Sequence, residues 1–338
     1  MFKKELLIVN NDLKRTRKAI IGIGCSFVEG QGAVNDELYE KFKWTVDELG
    51  LPVKPKLTAE DKEYILKTYP RVGVFQDELD FTFMEQDNAF TSVLCKKYFE
   101  GQYTPINLGL RGHGNRASIK ELYFQPIRWD LIDEIIVLYC PSGMERFDFA
   151  KDAWTDHFHW TCMWPNPTDQ PEGTARRILW DGYNKSLFSE KFAVLEQVAQ
   201  AQELLTWCKL KNAKLIITPG FDLRYNKENF KKELSKKIIR KIGSEEFDRE
   251  EKLMADELYE ANRIAEMFPW QNMFFPEGQA TFVDLVMKYE KPSEKTFFYE
   301  YFQKGSPNKW ITPCSHPAAK GHDVFAKALY KHITSGNL

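Results

Sequence analysis

The sequence predicts a doubly wound α/β fold: a mostly parallel sheet flanked by helices. Three observations carry this expectation. Short apolar, β-branched runs recur at Lys18–Ile23, in "TPINLG", at Ile132–Tyr139 and in "AKLIITPG". Segments with helical apolar spacing separate those runs. The run at Ile132–Tyr139 is almost uniformly apolar, as expected of a central parallel strand covered on both faces. In sheets of this kind, ligands bind beyond the carboxyl ends of the strands.

The elements follow in order. Lys18–Ile23 reads as a buried strand, Ser26 as the turn after it. Residues 34–84 read as an insertion holding a helical "NDELYEKFKWTVDELG", a Pro-broken "LPVKPKL", and "TAEDKEYILKTYP", where Thr58 and Asp61 fit a helix cap. Residues 88–99 have helical spacing. "TPINLGLRGHGN" reads as a strand ending in a Gly-rich turn, and "RASIKELYFQPI" as a helix ending near Pro126. "CPSGMERFDF" leaves the central strand. Residues 184–210 form a long helical pattern, "AKLIITPG" a further strand, and 224–268 charged helical material. The C-terminal "HPAAKGHDVFAKALYKHI" is an amphipathic helix with Val324, Phe325, Ala328 and Leu329 on one face.

Residues 1–338 read as one α/β domain enlarged by insertions at about 34–84, 150–183 and 224–270, which are expected to build the rim of a site. A hydrophobic share of 43% suffices for a core of that size. A net charge of −2 argues against a general nucleic-acid binder. The basic run Lys231–Lys241 and the acidic run after it read as solvated helix faces with local ion pairs. No segment approaches the ~20 apolar residues of a membrane span. The N-terminal stretch lacks the apolar core of a signal peptide, so a cytoplasmic protein is expected. The six cysteines are widely spaced with no CxxC pair, which indicates neither a zinc site nor a disulfide framework.

The stretch "AIIGIGCSFVEGQG" carries the chemistry. A strand that ends in a serine wrapped in glycines can be a phosphate cradle, a nucleophile on a tight turn, or an ordinary strand-to-helix turn. The Walker pattern is missing, and the third glycine of a dinucleotide fingerprint is replaced by Phe27. A nucleophilic serine needs exposure on a tight turn, a base for its proton, and N–H groups for an oxyanion. The alternative for Ser26 is a helix N-cap.

These residues carry a resemblance. "GCSFVEG" resembles the first block of the SGNH (GDSL-like) hydrolases, with Cys25 in place of the acid. "NLGLRGHGN" resembles the second block, and "SHPAAKGH" the last. The likeness covers these short segments, in order, and the α/β pattern from about residue 18 to 332. It implies a three-layer, flavodoxin-like sheet and a serine esterase that needs no metal or cofactor. Ser26 would be the nucleophile and His316 the base. The N–H groups of Ser26 and Gly112, with the Asn115 amide, would hold the oxyanion. The substrate would be a small acyl ester or an acylated glycan, such as an O-acetylated carbohydrate.

The chain departs from the family twice. The acid expected three residues before His316 is replaced by Pro313, so another group orients the imidazole or the triad is incomplete. The third block, Gly-x-Asn-Asp, has no counterpart in "CPSGMERFDF". That loop resembles phage-encoded members of the family, which implies virion association. Ser142 and Arg146 are candidates to line the site there, and a structural ion pair is the alternative for Arg146. Trp154 and Trp160 are candidates to stack on a sugar or cover an acyl pocket, against a packed insertion. His157 and His159 form an HxH pair with Asp156 nearby, but no further ligand is evident. His322 reads as a packing residue. Cys25 and Cys314, each beside a candidate catalytic residue, are expected as neighbouring reduced thiols. Two further readings stay open: a catalytically degenerate binding or structural protein of this fold, and an acyltransferase using the same residues.

Overall fold

A computed structural model describes residues 11–30, 33, 38, 45–46, 52–53, 57–75, 78–109, 113–144, 146–150, 160–163, 178, 182, 189–235, 251–289, 298–299, 316–317 and 319–336. In chain order, β1 (Lys18–Gly24) runs into the short helix α1 (Ser26–Glu29). A hairpin of β2 (Thr45–Val46) and β3 (Pro52–Val53) precedes α2 (Ala59–Thr68). A second hairpin, β4 (Gly73–Phe75) and β5 (Glu78–Asp80), leads to α3 (Thr82–Asn88) and α4 (Phe90–Val93). Then come β6 (Thr104–Gly109), α5 (Asn115–Phe124) and β7 (Glu134–Cys140). A hairpin of β8 (Phe147–Ala150) and β9 (Trp160–Met163) follows, then α6 (Glu190–Leu210) and β10 (Ala213–Ile217). The chain continues with α7 (Lys227–Ser235), α8 (Glu251–Met267) and α9 (Phe282–Tyr289). Last are the β11 (Phe298–Tyr299) and β12 (His316–Pro317) pair and α10 (Ala319–Thr334).

The central sheet has four parallel strands in the order β10-β7-β1-β6. The chain leaves β1 for the β6 edge, then crosses back to β7 on the other side. The topological switch point therefore falls between β1 and β7, and the crevice of an α/β sheet opens at the carboxyl ends of such a pair. β1 enters α1 at that place.

The pleat sorts side chains into two cores. Ile21, Ile23, Val137, Tyr139, Leu215 and Ile217 face α5, α6, α7 and α8. Ile20, Ile136, Leu138, Cys140 and Ile216 face α1, α4, α9 and α10. The three-layer α/β arrangement predicted from alternating apolar runs is present. Segment 224–270, expected on the rim, instead contributes Phe230, Leu234, Ala261, Ala265 and Phe268 to the first core. Its Lys227 and Lys231 pair with Glu266 across α7 and α8.

Two local expectations meet different outcomes. Thr58 and Asp61 cap α2 reciprocally, as the sequence predicts. The helix read across 35–50 does not extend over Thr45–Val46, which pairs antiparallel with β3. Two adjacent β-branched residues suit a strand once a partner is supplied, and that pairing overrides local spacing. Among the described residues no helix is long and apolar enough to cross a membrane.

Candidate active site

The site is built from the turn after β1. Gly24 has φ +149, a conformation L side chains rarely adopt, and a Cβ there would stand 2.2 Å from the Cys140 carbonyl oxygen. Only glycine lets β1 and β7 stay paired at this point while the chain turns into α1. Cys25 takes the N-cap position of α1 in extended conformation, with no side-chain cap bond. Ser26 is thus not the cap, and its hydroxyl is available for another partner.

That partner is His316. Ser26 Oγ lies 2.6 Å from His316 Nε2, a contact between residues 290 positions apart. Both side chains are nearly enclosed, Ser26 5% and His316 4% exposed. His316 is therefore enclosed beside the serine turn and is not a surface side chain. The Phe27 ring sits 5.0 Å from the His316 ring and stacks on Phe221 at 5.4 Å. An aromatic wall of this kind lowers the local dielectric and strengthens the hydrogen bond.

The second sequence block braces the serine turn from the side. Asn107 Nδ2 donates to the Val28 carbonyl at 2.7 Å, and Asn107 Oδ1 accepts the Gly109 N–H at 3.0 Å. Asn107 thereby closes the end of α1 and ties it to β6. Gly109 presses close beneath it: a Cβ there would lie 2.2 Å from Glu29 N.

Asn115 does not present its amide as an oxyanion donor. It is the first residue of α5, 2% exposed, with Gly114 at the cap position. Its Nδ2 meets Gln197 Oε1 at 2.9 Å, Tyr225 Oη at 3.0 Å and the Ser142 carbonyl at 3.3 Å. Its Oδ1 accepts the Ser142 N–H at 2.6 Å. Both amide hydrogens are thus taken up within the core. Asn115 is the centre of a buried network that fixes the loop leaving β7. Ser142 lies in the same network, fully buried, so it does not line an open site.

Arg146 donates from Nη1 to the His113 carbonyl at 3.1 Å, and its guanidinium lies over the Phe221 ring at 5.9 Å. It stands beside the aromatic wall at the loop that follows β6. Trp160 opens β9 opposite Ala150. Gly112, Trp154, Asp156, His157, His159, Pro313 and Cys314 lie outside the described residues. Cys25, Cys95, Cys140 and Cys208 are buried free thiols. Burial, and then the adjacent Cys25, hold the Cys140 thiol far above its ordinary pKa, so it is inert.

One residue near the site escaped sequence reasoning. Asp148 on β8, 3% exposed, accepts the Gly114 N–H at 2.7 Å and the Ala117 N–H at 3.0 Å. A carboxylate at a helix start satisfies orphan donors and opposes the helix dipole. Asp148 thus anchors α5 from a distant strand. The only sequence signal was an acid between two phenylalanines in "RFDFA", which alternation alone does not link to α5.

Comparison of the chain with protein-family models, with curated proteins and with solved structures finds no match.

Proposed function

We propose that this chain is a serine esterase of the SGNH type acting on a small acyl ester, with an O-acetylated carbohydrate as the favoured substrate class. The observation that carries this reading is the 2.6 Å contact between Ser26 Oγ and His316 Nε2 at the carboxyl end of β1. A buried serine–histidine pair at a switch point is the arrangement that activates a hydroxyl. In this reading Ser26 Oγ attacks the ester carbonyl as its proton passes to His316 Nε2. The tetrahedral oxyanion is held by backbone N–H groups, with Ser26 and Gly112 as the assigned donors. Collapse breaks the ester C–O bond, and His316 returns the proton to the leaving alkoxide. Water then attacks the acyl-enzyme, giving up a proton to His316. The acid is released and the Ser26 hydroxyl restored. An acyltransferase would replace that water with an acceptor hydroxyl.

A second reading, a non-catalytic protein of the same fold, is favoured by one observation: the Asn115 amide is spent inside the core. Hydrolysis of short-chain p-nitrophenyl esters separates the two. Under the esterase reading, wild type turns over, and Ser26→Ala and His316→Ala each fall by at least about 10³-fold. Turnover that survives both substitutions refutes the serine mechanism. A wild type inert toward these esters and toward O-acetylated glycans favours the non-catalytic reading.

A further inference from the structure

The chain that leaves β7 meets the loop that leaves β6, and it arrives there held at three points. Asn115 Oδ1 accepts the Ser142 N–H at 2.6 Å, and Asp222 Oδ2 accepts the Met144 N–H at 3.2 Å. The Gly143 carbonyl accepts the Arg146 N–H at 3.2 Å. Arg146 and Asp148 follow two positions apart, the spacing that puts side chains on one face of an extended chain.

Both side chains close on a single peptide unit. Arg146 Nη1 donates to the His113 carbonyl at 3.1 Å, and Asp148 Oδ1 accepts the Gly114 N–H at 2.7 Å. That carbonyl and that N–H are the two ends of the His113–Gly114 peptide. Its negative end meets a guanidinium and its positive end a carboxylate, so both bonds are charge-assisted and both match the peptide dipole. A flipped peptide would turn its carbonyl on the carboxylate and its N–H on the guanidinium. Gly114 has no side chain of its own to oppose that flip. The close approach of β8 forbids one: a Cβ there would stand 2.7 Å from Asp148 Oδ2 and 3.1 Å from Arg146 Cβ.

The grip extends to the serine turn. Asp148 Oδ2 also accepts the Ala117 N–H at 3.0 Å. One residue on, the buried Ser118 hydroxyl lies 2.9 Å from the Gly114 carbonyl and 3.0 Å from the Gly24 carbonyl. Gly24 precedes Ser26 by two residues. The Arg146 guanidinium also lies 5.9 Å over the Phe221 ring, which stacks on Phe27.

We propose that Arg146 and Asp148 are a pair of positioning residues: they clamp the His113–Gly114 peptide in one orientation and, through Ser118, register the start of α5 on the turn that presents Ser26. The proposal rests on the esterase reading, in which Gly112, just before the clamped peptide, is an assigned oxyanion donor. It gives Arg146 a task other than touching the substrate.

The test uses Arg146→Met, Arg146→Lys, Asp148→Asn and the double variant Arg146→Met with Asp148→Asn. Met keeps the aliphatic stem and removes the donor. Lys keeps one donor, which is all that this bond to the His113 carbonyl uses. Asn keeps one acceptor oxygen. Each is assayed for melting temperature, for kcat and KM on p-nitrophenyl acetate, and for the backbone amide shifts of residues 24–27. We expect Arg146→Met to lose about tenfold or more in kcat at unchanged KM, with those shifts moved, and Arg146→Lys to stay within about threefold of wild type. The double variant should lose less than the product of the single losses, because either change already releases the same peptide. A raised KM at wild-type kcat makes Arg146 a substrate contact and overturns the proposal. A lowered melting temperature with kcat and shifts unmoved overturns it too, as does a double loss equal to the product. If the Asp148 variants do not fold, amide exchange in wild type decides their half: a Gly114 N–H as protected as that of Ala117 supports the clamp, and one that exchanges freely overturns it. If wild type hydrolyses no ester, the esterase reading fails separately. The amide shifts then still report, and wild-type shifts over residues 24–27 in Arg146→Met overturn the positioning role.

Discussion

Gly109→Ala tests whether the serine turn is held in place by β6. The new methyl carbon would start 2.2 Å from Glu29 N and 2.7 Å from the Val28 carbonyl carbon. Ordinary contact begins at 3.4 Å, so α1 and β6 must part by about 1 Å. Both neighbours are backbone, and no flexible side chain can swing away. The separation also pulls Val28 from Asn107, which holds it at 2.7 Å. Ser26 lies in the same single turn of helix and moves with it, lengthening its 2.6 Å contact to His316. A displacement of this size costs about 10²-fold in rate, while overpacking costs about 1–3 kcal/mol of stability. The assay is kcat on p-nitrophenyl acetate beside urea unfolding. Gly73→Ala serves as the control, because its added Cβ meets nothing closer than 3.9 Å. A Gly109→Ala protein with wild-type kcat and wild-type stability would refute the argument that β6 sets the serine position.

Two other perturbations follow from the same geometry. Asp148→Ala strips two buried N–H groups of their carboxylate and should cost about 3–5 kcal/mol in urea unfolding, with Asp148→Asn losing less; equal stability of all three proteins would show that α5 does not need this anchor. His322 supplies a pH dependence of known sign: burial first, then His316, place its folded pKa at about 3 against 6.5. The unfolded chain takes that proton first on acidification. Stability is therefore full above pH 6.5 and lost as pH falls toward 3, at up to about 1.4 kcal/mol per pH unit. Between pH 7 and pH 5 wild type should lose about 2 kcal/mol more than His322→Gln; parallel losses would mean the ring titrates normally.

The sheet strands β1, β7 and β10 were legible because each carries a short apolar run, the mark a buried parallel strand leaves directly in the chain. The pairing of Ser26 with His316 was legible for a different reason. The resemblance of "GCSFVEG" and "SHPAAKGH" to the first and last blocks of the SGNH hydrolases implied the match, which neither segment implies alone. The role of Asn115 was not legible. Its amide is occupied by Gln197 and Tyr225, which come from α6 and from the loop after β10. Nothing near Asn115 in the sequence announces those partners. Asp148 was missed for the same reason. A carboxylate that caps a helix from another strand has none of the spacing that marked Thr58 and Asp61. Thr45–Val46 shows the reverse case, where local helical spacing was present and a cross-strand partner outweighed it.

The 290-residue gap between Ser26 and His316 has a consequence for synthesis. A ribosome delivers the chain from its amino end, and early segments begin to fold before later ones exist. The four sheet strands are complete by Ile217, about a hundred residues before His316 emerges. For that interval Ser26 has no His316 to contact, and under the proposed esterase reading its hydroxyl is not activated. A chain cut short after β10 lacks α7 and α8 on one face of the sheet and α9 and α10 on the other. Under the proposed esterase reading, reactivity of Ser26 toward a serine-directed reagent is expected only once translation has passed His316.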